Sequence, residues 1–203
     1  MVEQAALWAG SFGDDYLERT RLDWRGRCPF FRHVLSRTQG IASIGELGAG
    51  AGYNLEALHA LNPAFRLTGV EINARACAEM AKRSFIQVVQ APLQVFSPPA
   101  PFDLVMTCGV LIHLPPSDLP LIYQRLYDLT NRYILLNEYF SPQPVAMPYR
   151  GLEGHLYKRD FGGELWDCHG DRLRLVDYGF LWKRVEQVWD DTTWWLFEKA
   201  GQP

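Results

Sequence analysis

The sequence predicts an α/β fold: a mostly parallel sheet of seven strands with helices on both faces and an antiparallel hairpin at its C-terminal end. Three observations carry this. Short apolar runs alternate with helical periods between residues 41 and 136, a glycine cluster follows the first run, and the C-terminal stretch holds two strand-like runs with no amphipathic helix between them. Strands separated by helices are joined by crossovers, which makes them parallel and buries both sheet faces. At 203 residues, 48% hydrophobic and 13% aromatic, the chain can fill such a core without crosslinks.

Residues 1–40 precede the first strand and carry Trp8, Phe12, Tyr16 and Trp24 with six arginines. They are expected to be helical, as a pair packed on the sheet edge or as a lid over a ligand. Ile41 to Glu46 is the first strand and stops at glycines. Leu55, Leu58 and Leu61 then share a helix face that Pro63 ends. Leu67 to Glu71 is the second strand, Asn73 caps a helix through Met80, and Ile86 to Val89 is the third strand. Asp103 to Cys108 follows as the fourth. Ser117 is expected to cap a helix burying Leu119, Ile122, Leu126 and Leu129, before a fifth strand at Tyr133 to Leu136. Leu173 to Trp182 and Thr193 to Glu198 complete the sheet as a hairpin. No linker or repeat divides the chain, so residues 1–203 read as one domain.

Several function classes are disfavoured. A formal net charge of -3 provides no global field for a polyanion, so nucleic acid is not an expected partner. No window approaches the roughly 18 continuous apolar residues of a membrane helix, and the opening residues are not a signal sequence, which predicts a soluble, cytoplasmic protein. Cys28, Cys77, Cys108 and Cys168 form no CxxC pair and read as reduced thiols. The five histidines and the acids show no ligand spacing, so no metal is expected. The expected partner is a small molecule, with the oligomeric state open.

The sharpest feature is Glu46-Leu47-Gly48-Ala49-Gly50-Ala51-Gly52, placed between the first strand and the first crossover helix. Glycines there let the backbone turn tightly and approach a ligand, while the next helix presents free N–H groups to the same space. Glu71 closes the second strand 25 residues after Glu46, an offset at which an acid accepts the hydroxyls of a ribose. An acid before the glycines suits a cationic ligand. These motifs resemble those of the class I S-adenosylmethionine-dependent methyltransferases over roughly residues 40–140, which implies their Rossmann-like fold and S-adenosylmethionine as cofactor. The resemblance implies further that Glu46, Gly48 and Gly50 shape the pocket around the methionyl portion, that Glu71 holds the ribose, and that Ile72 or Asn73 flanks the adenine. Gln90, Ala91 and Pro92 stand where the family often has an acid on the adenine amino group, and Gln90 could make a neutral version of that contact. Cys108 and Gly109 match the backbone beside the sulfonium.

Trp8-Ala9-Gly10-Ser11-Phe12-Gly13-Asp14-Asp15-Tyr16, Gly109-Val110-Leu111-Ile112-His113, Asn137-Glu138-Tyr139-Phe140-Ser141-Pro142 and Tyr149-Arg150-Gly151 with Lys158-Arg159-Asp160-Phe161 are similar to the small methylases associated with pseudaminic acid biosynthesis. The enzymes that cyclise S-adenosylmethionine to azetidine-2-carboxylate resemble the same group. Arg19-Thr20 and Phe140-Ser141-Pro142 replace its usual Arg-Asn and Tyr-Asn-Pro, which leaves the substrate open. The implied activity is transfer of the methyl group to a small polar metabolite, sugar or amino-acid-like. Two alternatives stand beside it: cyclisation of the cofactor with release of methylthioadenosine, and a non-catalytic cofactor-binding protein. Methyl transfer requires an acceptor held in line roughly 3 to 3.5 Å from the methyl. Cys108-Gly109-Val110 supplies no acid or amide for an exocyclic amine, which argues against nucleobase methylation. Tyr16, Asn137 and Tyr139 are the candidate catalytic side chains. With Trp8 and Phe12, the two tyrosines could surround a sulfonium by cation–π attraction.

Overall fold

The computed structural model describes residues 2–20 and 23–201, so Met1, Arg21 and Leu22 of the expected N-terminal lid, and the last two residues of the expected domain, lie outside it. Helices α1 (Val2–Ala9) and α2 (Ser11–Arg19) are followed by a short 3-10 turn, Trp24–Arg27, and by α3 (Cys28–Ser36). The alternating region is β1 (Ser43–Leu47), α4 (Tyr53–Leu61), β2 (Arg66–Glu71), α5 (Ala74–Met80), β3 (Ile86–Gln90), β4 (Phe102–Cys108), α6 (Leu119–Asp128) and β5 (Thr130–Glu138). A hairpin, β6 (Val145–Tyr149) and β7 (Leu152–Lys158), precedes α7 (Phe161–His169), and β8 (Leu173–Leu181) and β9 (Thr192–Lys199) end the chain.

The main sheet has seven strands in the order β3-β2-β1-β4-β5-β9-β8. The first five are parallel, and β9 runs against both of its neighbours, β5 and β8. The chain leaves β1 toward β2 and returns on its other side at β4, which opens a crevice at the carboxyl ends of those strands. Period-two alternation divides the core. Val105, Ile134 and Leu136 face α6 and α7, packing with Ile122, Leu126, Phe161 and Leu165. Leu104, Met106 and Leu135 face the other way, onto Phe31, Val34, Leu55 and Leu58 of α3 and α4. Each such fully buried side chain contributes on the order of 1.5–3 kcal/mol.

The expected strands and their pairing are present, with three corrections. The first strand begins at Ser43 rather than Ile41, because the backbone N–H groups of Ala42 and Ser43 donate to the Asp103 carboxylate (2.9 and 2.8 Å). Ser117 does not cap α6. It sits inside a 3-10 turn, Pro116–Asp118, its hydroxyl donates to Asp118 Oδ1 at 3.3 Å, and Pro120 in the first turn sets the start at Leu119. Asn73 does cap α5, accepting from Ala76 N at 2.9 Å. The third correction is that residues 91–101, between β3 and β4, hold no helix, so the alternation of strands and helices is not continuous. Residues 145–169, to which the sequence pattern assigned no element, form a hairpin and a helix. Pro148 and Gly154 mask the strand pattern, and the two-residue turn is Arg150-Gly151, both at positive φ (51° and 81°). In α7, Gly162 and Gly163 obscure the helical signal. A Cβ on Gly162 would lie 2.5 Å from the Trp195 ring, so close packing on β9 requires glycine there. Among the described residues, no helix is long and apolar enough to cross a membrane.

Candidate active site

The site begins where β1 ends. Gly48 N and Ala49 N both donate to the Val70 carbonyl (2.8 and 3.0 Å), which folds the turn back against β2. Gly48 has φ of 73°, and a Cβ there would stand 2.6 Å from Val110, so the turn admits no side chain at that point. At Gly50, a Cβ would meet nothing within 4 Å; the backbone borders open space. Glu71, at the end of β2, is oriented by three backbone donors: Gly50 N on Oε2, and Ile72 N and Asn73 N on Oε1, each at 2.8 Å. Its carboxylate therefore ties the glycine turn to the start of α5.

Above these strand ends lies a cavity of about 210 Å³, covered by α1 and α2. At one end stands Glu46, 1% exposed. Its Oε1 accepts from Asn54 Nδ2 at 2.5 Å, while Oε2 has no hydrogen-bond partner among the described residues. Burial pushes its pKa up to about 8, against the opposing influence of the Asn54 bond and of Arg27. Arg27 donates to Asn54 Oδ1 and lies 4.2 Å above the Trp189 ring. Its burial lowers its own pKa, so a cation and an acid are held in one dry corner through a shared amide. Cys108 borders the same corner, and burial raises its thiol well above the usual range. Tyr16 reaches the cavity from α2; burial lifts its hydroxyl to about 12, so near neutrality it is a hydrogen-bond donor rather than a base.

The N-terminal helices are attached by polar bonds as well as rings. Asn73 Nδ2 donates to the Trp8 carbonyl (3.1 Å) and to Asp14 Oδ1 (3.0 Å), and Gln4 donates to the His113 carbonyl. Trp8 meets Phe12 and Tyr16 edge-on, with centroids 5.2 and 5.3 Å away, and His113 lies between Trp8 and Tyr149 of β6. His113 is structural: burial lowers its pKa to about 4, and its Nδ1 bonds the His155 carbonyl at 2.8 Å. Since Asn73 both caps α5 and holds the roof, Asn73→Ala should cost about 2 kcal/mol of stability and speed amide exchange in α1 and α2. Urea titration with hydrogen exchange checks both; an unchanged exchange rate in α1 and α2 would contradict the roof attachment.

Trp8, Tyr16, Glu46, Gly48, Gly50, Glu71, Ile72, Ala91, Cys108 and Gly109, all expected at the site, do line the cavity. Four expected residues lie outside its lining. Phe12 packs behind Trp8 and against Tyr149. Gln90 is exposed, with only a long bond (3.5 Å) to the Ile72 carbonyl. Asn137 is buried beneath the site and contributes its carbonyl, which accepts from Gly109 N at 2.9 Å. Tyr139 donates its hydroxyl to Asp190 at 3.0 Å, on the β8–β9 side. The sequence reading missed Arg27, Asn54 and Asp118, which carry no spacing signal. Among the described residues, no group of three His, Cys, Asp or Glu side chains could hold a metal ion.

Residues 44–132 match a family model described as a methyltransferase domain. No curated protein matches the chain. Several solved structures do. The magnesium protoporphyrin IX methyltransferase of Synechocystis PCC 6803, with bound S-adenosylhomocysteine, has a TM-score of 0.71 and 16% identity over 98% of this chain and 100% of its own. The 1,6-didemethyltoxoflavin-N1-methyltransferase of Burkholderia thailandensis scores 0.68 at 17% identity, over 92% and 82%. A glycopeptide N-methyltransferase complexed with S-adenosylhomocysteine scores 0.66 at 13%, over 95% and 99%. At such identities the likeness is one of fold. The chain has the Rossmann-like fold of the class I methyltransferases, and its residues 44–132 match the methyltransferase domain.

Proposed function

We propose that the chain binds S-adenosylmethionine in this cavity and transfers its methyl group to a small polar metabolite, sugar or amino-acid-like. The observation that carries the reading is the pairing of two acids across one cavity: Glu71 held by three backbone N–H groups, and Glu46 buried with an unpaired oxygen beside Arg27. Three of the four acceptor sites of the Glu71 carboxylate are taken by these N–H groups, which leaves one, on Oε2, for a ribose hydroxyl. Glu46 and Arg27 match the ammonium and carboxylate of an amino acid, and the faces of Trp8 and Tyr16 suit a sulfonium. When bound, the cofactor supplies an electrophilic methyl carbon. The solved relative carrying 1,6-didemethyltoxoflavin supports a small-molecule acceptor. Helices α1 and α2 act in this reading as the lid that excludes water, whereas α3 of the expected lid segment packs into the core under the sheet.

A second reading, cyclisation of S-adenosylmethionine to azetidine-2-carboxylate, is favoured by one feature. Glu46 is the cavity group whose pKa lies near neutrality, and it stands at the methionyl end, where it could hold the proton of the α-amino group. The two reactions leave different nucleosides. Mass spectrometry of the chain incubated with cofactor alone, against a no-enzyme control, is expected to show no turnover, and addition of an acceptor should yield S-adenosylhomocysteine. Enzyme-dependent methylthioadenosine together with azetidine-2-carboxylate would replace the first reading with the second.

A further inference from the structure

The cavity lining holds a second buried acid that the proposed chemistry does not use. Asp118 is 6% exposed and lines the cavity with Leu93, Gln94, Leu114 and Pro115. Its Oδ1 accepts from the Ser117 hydroxyl at 3.3 Å, and its Oδ2 has no hydrogen-bond partner among the described residues. The side chain makes no capping bond to α6, so helix capping does not account for its burial. An acceptor left half-unpaired inside a cavity wall is suited to a donor on the ligand.

The two cores show which part of a ligand reaches it. Arg27 rests on Trp189, and Ala49 and Cys108 pack with the core under α3 and α4, so the Glu46 corner belongs to that face of the sheet. Ala91, Leu93 and Leu114 pack against the core under α6, on the opposite face. A nucleoside whose ribose is held by Glu71 and whose charged tail points to Glu46 must carry its base away from β1, toward residues 91–94. Asp118 lines the cavity just after Leu114 and Pro115 in the chain, and Leu114 shares its core with Leu93. Other polar side chains in the lining near Leu114 are Gln94, His113, which is neutral and already bonded to the His155 carbonyl, and Gln4, whose amide N–H is spent on the His113 carbonyl. Gln90 lies outside the lining.

We propose that Asp118 accepts a hydrogen bond from the exocyclic amino group of the base through Oδ2, and so selects a 6-aminopurine nucleoside over its 6-oxo counterpart. The assignment rests on the cofactor reading above. A 6-oxo group would set a carbonyl oxygen against a carboxylate, leaving two acceptors facing each other without a proton between them. Asp118→Asn is nearly isosteric and can turn an N–H toward that carbonyl.

The test is calorimetric titration of the full chain with S-adenosylhomocysteine and S-inosylhomocysteine, with thermal melting to establish folding. The parent chain should prefer the adenosyl compound by about thirtyfold or more, and Asp118→Asn should reduce the preference to about threefold or less, chiefly by binding the inosyl compound better. Asp118→Ser, which removes the carboxylate without that donor geometry, should weaken the adenosyl compound while leaving the inosyl compound within a few-fold. If the parent binds neither compound, the cofactor reading falls and this assignment with it. If the parent binds S-adenosylhomocysteine but shows no preference, or either folded variant keeps the parent's preference, Asp118 is not the selecting group and the cofactor reading stands.

Discussion

Replacing Glu71 with alanine should weaken S-adenosylmethionine binding by about 1.5 to 3 kcal/mol, or about 10- to 150-fold, because a charge-assisted bond to the ribose is lost. The effect has a second source in the turn. Glu71 also accepts from Gly50, Ile72 and Asn73 N–H groups, so the alanine variant releases the glycine turn from α5 as well as removing the ribose acceptor. Glu71→Gln separates the two contributions. Its oxygen can keep Ile72 and Asn73, but its NH2 would meet the Gly50 N–H donor, so the glutamine variant should stay folded and still bind far more weakly than the parent. Calorimetry on both variants, with melting curves, measures this. A folded Glu71→Ala chain with the parent's affinity would move the nucleoside site elsewhere.

What could be read from the sequence follows from what is local. The turn after β1 was legible because Gly48 faces Val110 and needs positive φ, a constraint confined to a few adjacent residues. The parallel strands were legible because burial on both faces writes continuous apolar runs. Asn137 and Tyr139 were correctly placed at the end of β5, but the cavity stands over β1, β2 and β4. On its other side β5 adjoins antiparallel β9, and Asp190, just before β9, takes the Tyr139 hydroxyl. The distinction depends on strand order, which no short window contains. Arg27 is one of six arginines in the N-terminal segment, and nothing in its spacing marks it; it becomes special through Trp189, 162 positions away, and Asn54. Asp118 sits in an ordinary helix-opening sequence, and only its burial beside Leu114 distinguishes it.

Cofactor binding should also be coupled to a proton at Glu46, and the sign of that coupling is fixed. In the free chain burial holds this carboxyl at about 8, so it is largely protonated at pH 7 and below and about half protonated at pH 8. An ammonium seated at its unpaired Oε2 favours the ionised form, so binding near pH 7 should release close to one proton, and affinity should rise with pH by up to about tenfold per unit below 8. Above about 8 the ligand's own α-amino group loses its charge, and affinity should fall again, giving a bell-shaped profile. Stability of the free chain runs the other way. A carboxyl titrating near 4.3 when unfolded and about 8 when folded binds more protons in the folded state, so the fold loses stability as pH rises through that window. Glu46→Gln keeps the Asn54 bond through its carbonyl and removes the titration. It should melt higher than the parent at pH 8, lose the acid limb of the binding profile, and bind about 10- to 100-fold more weakly at pH 8. Calorimetry in two buffers of different ionisation enthalpy counts the protons directly. A parent chain that binds tightly from pH 6 to 8 with no proton release would show that the ammonium does not sit against Glu46, and the cofactor's charged end would then have to be placed on Arg27 alone.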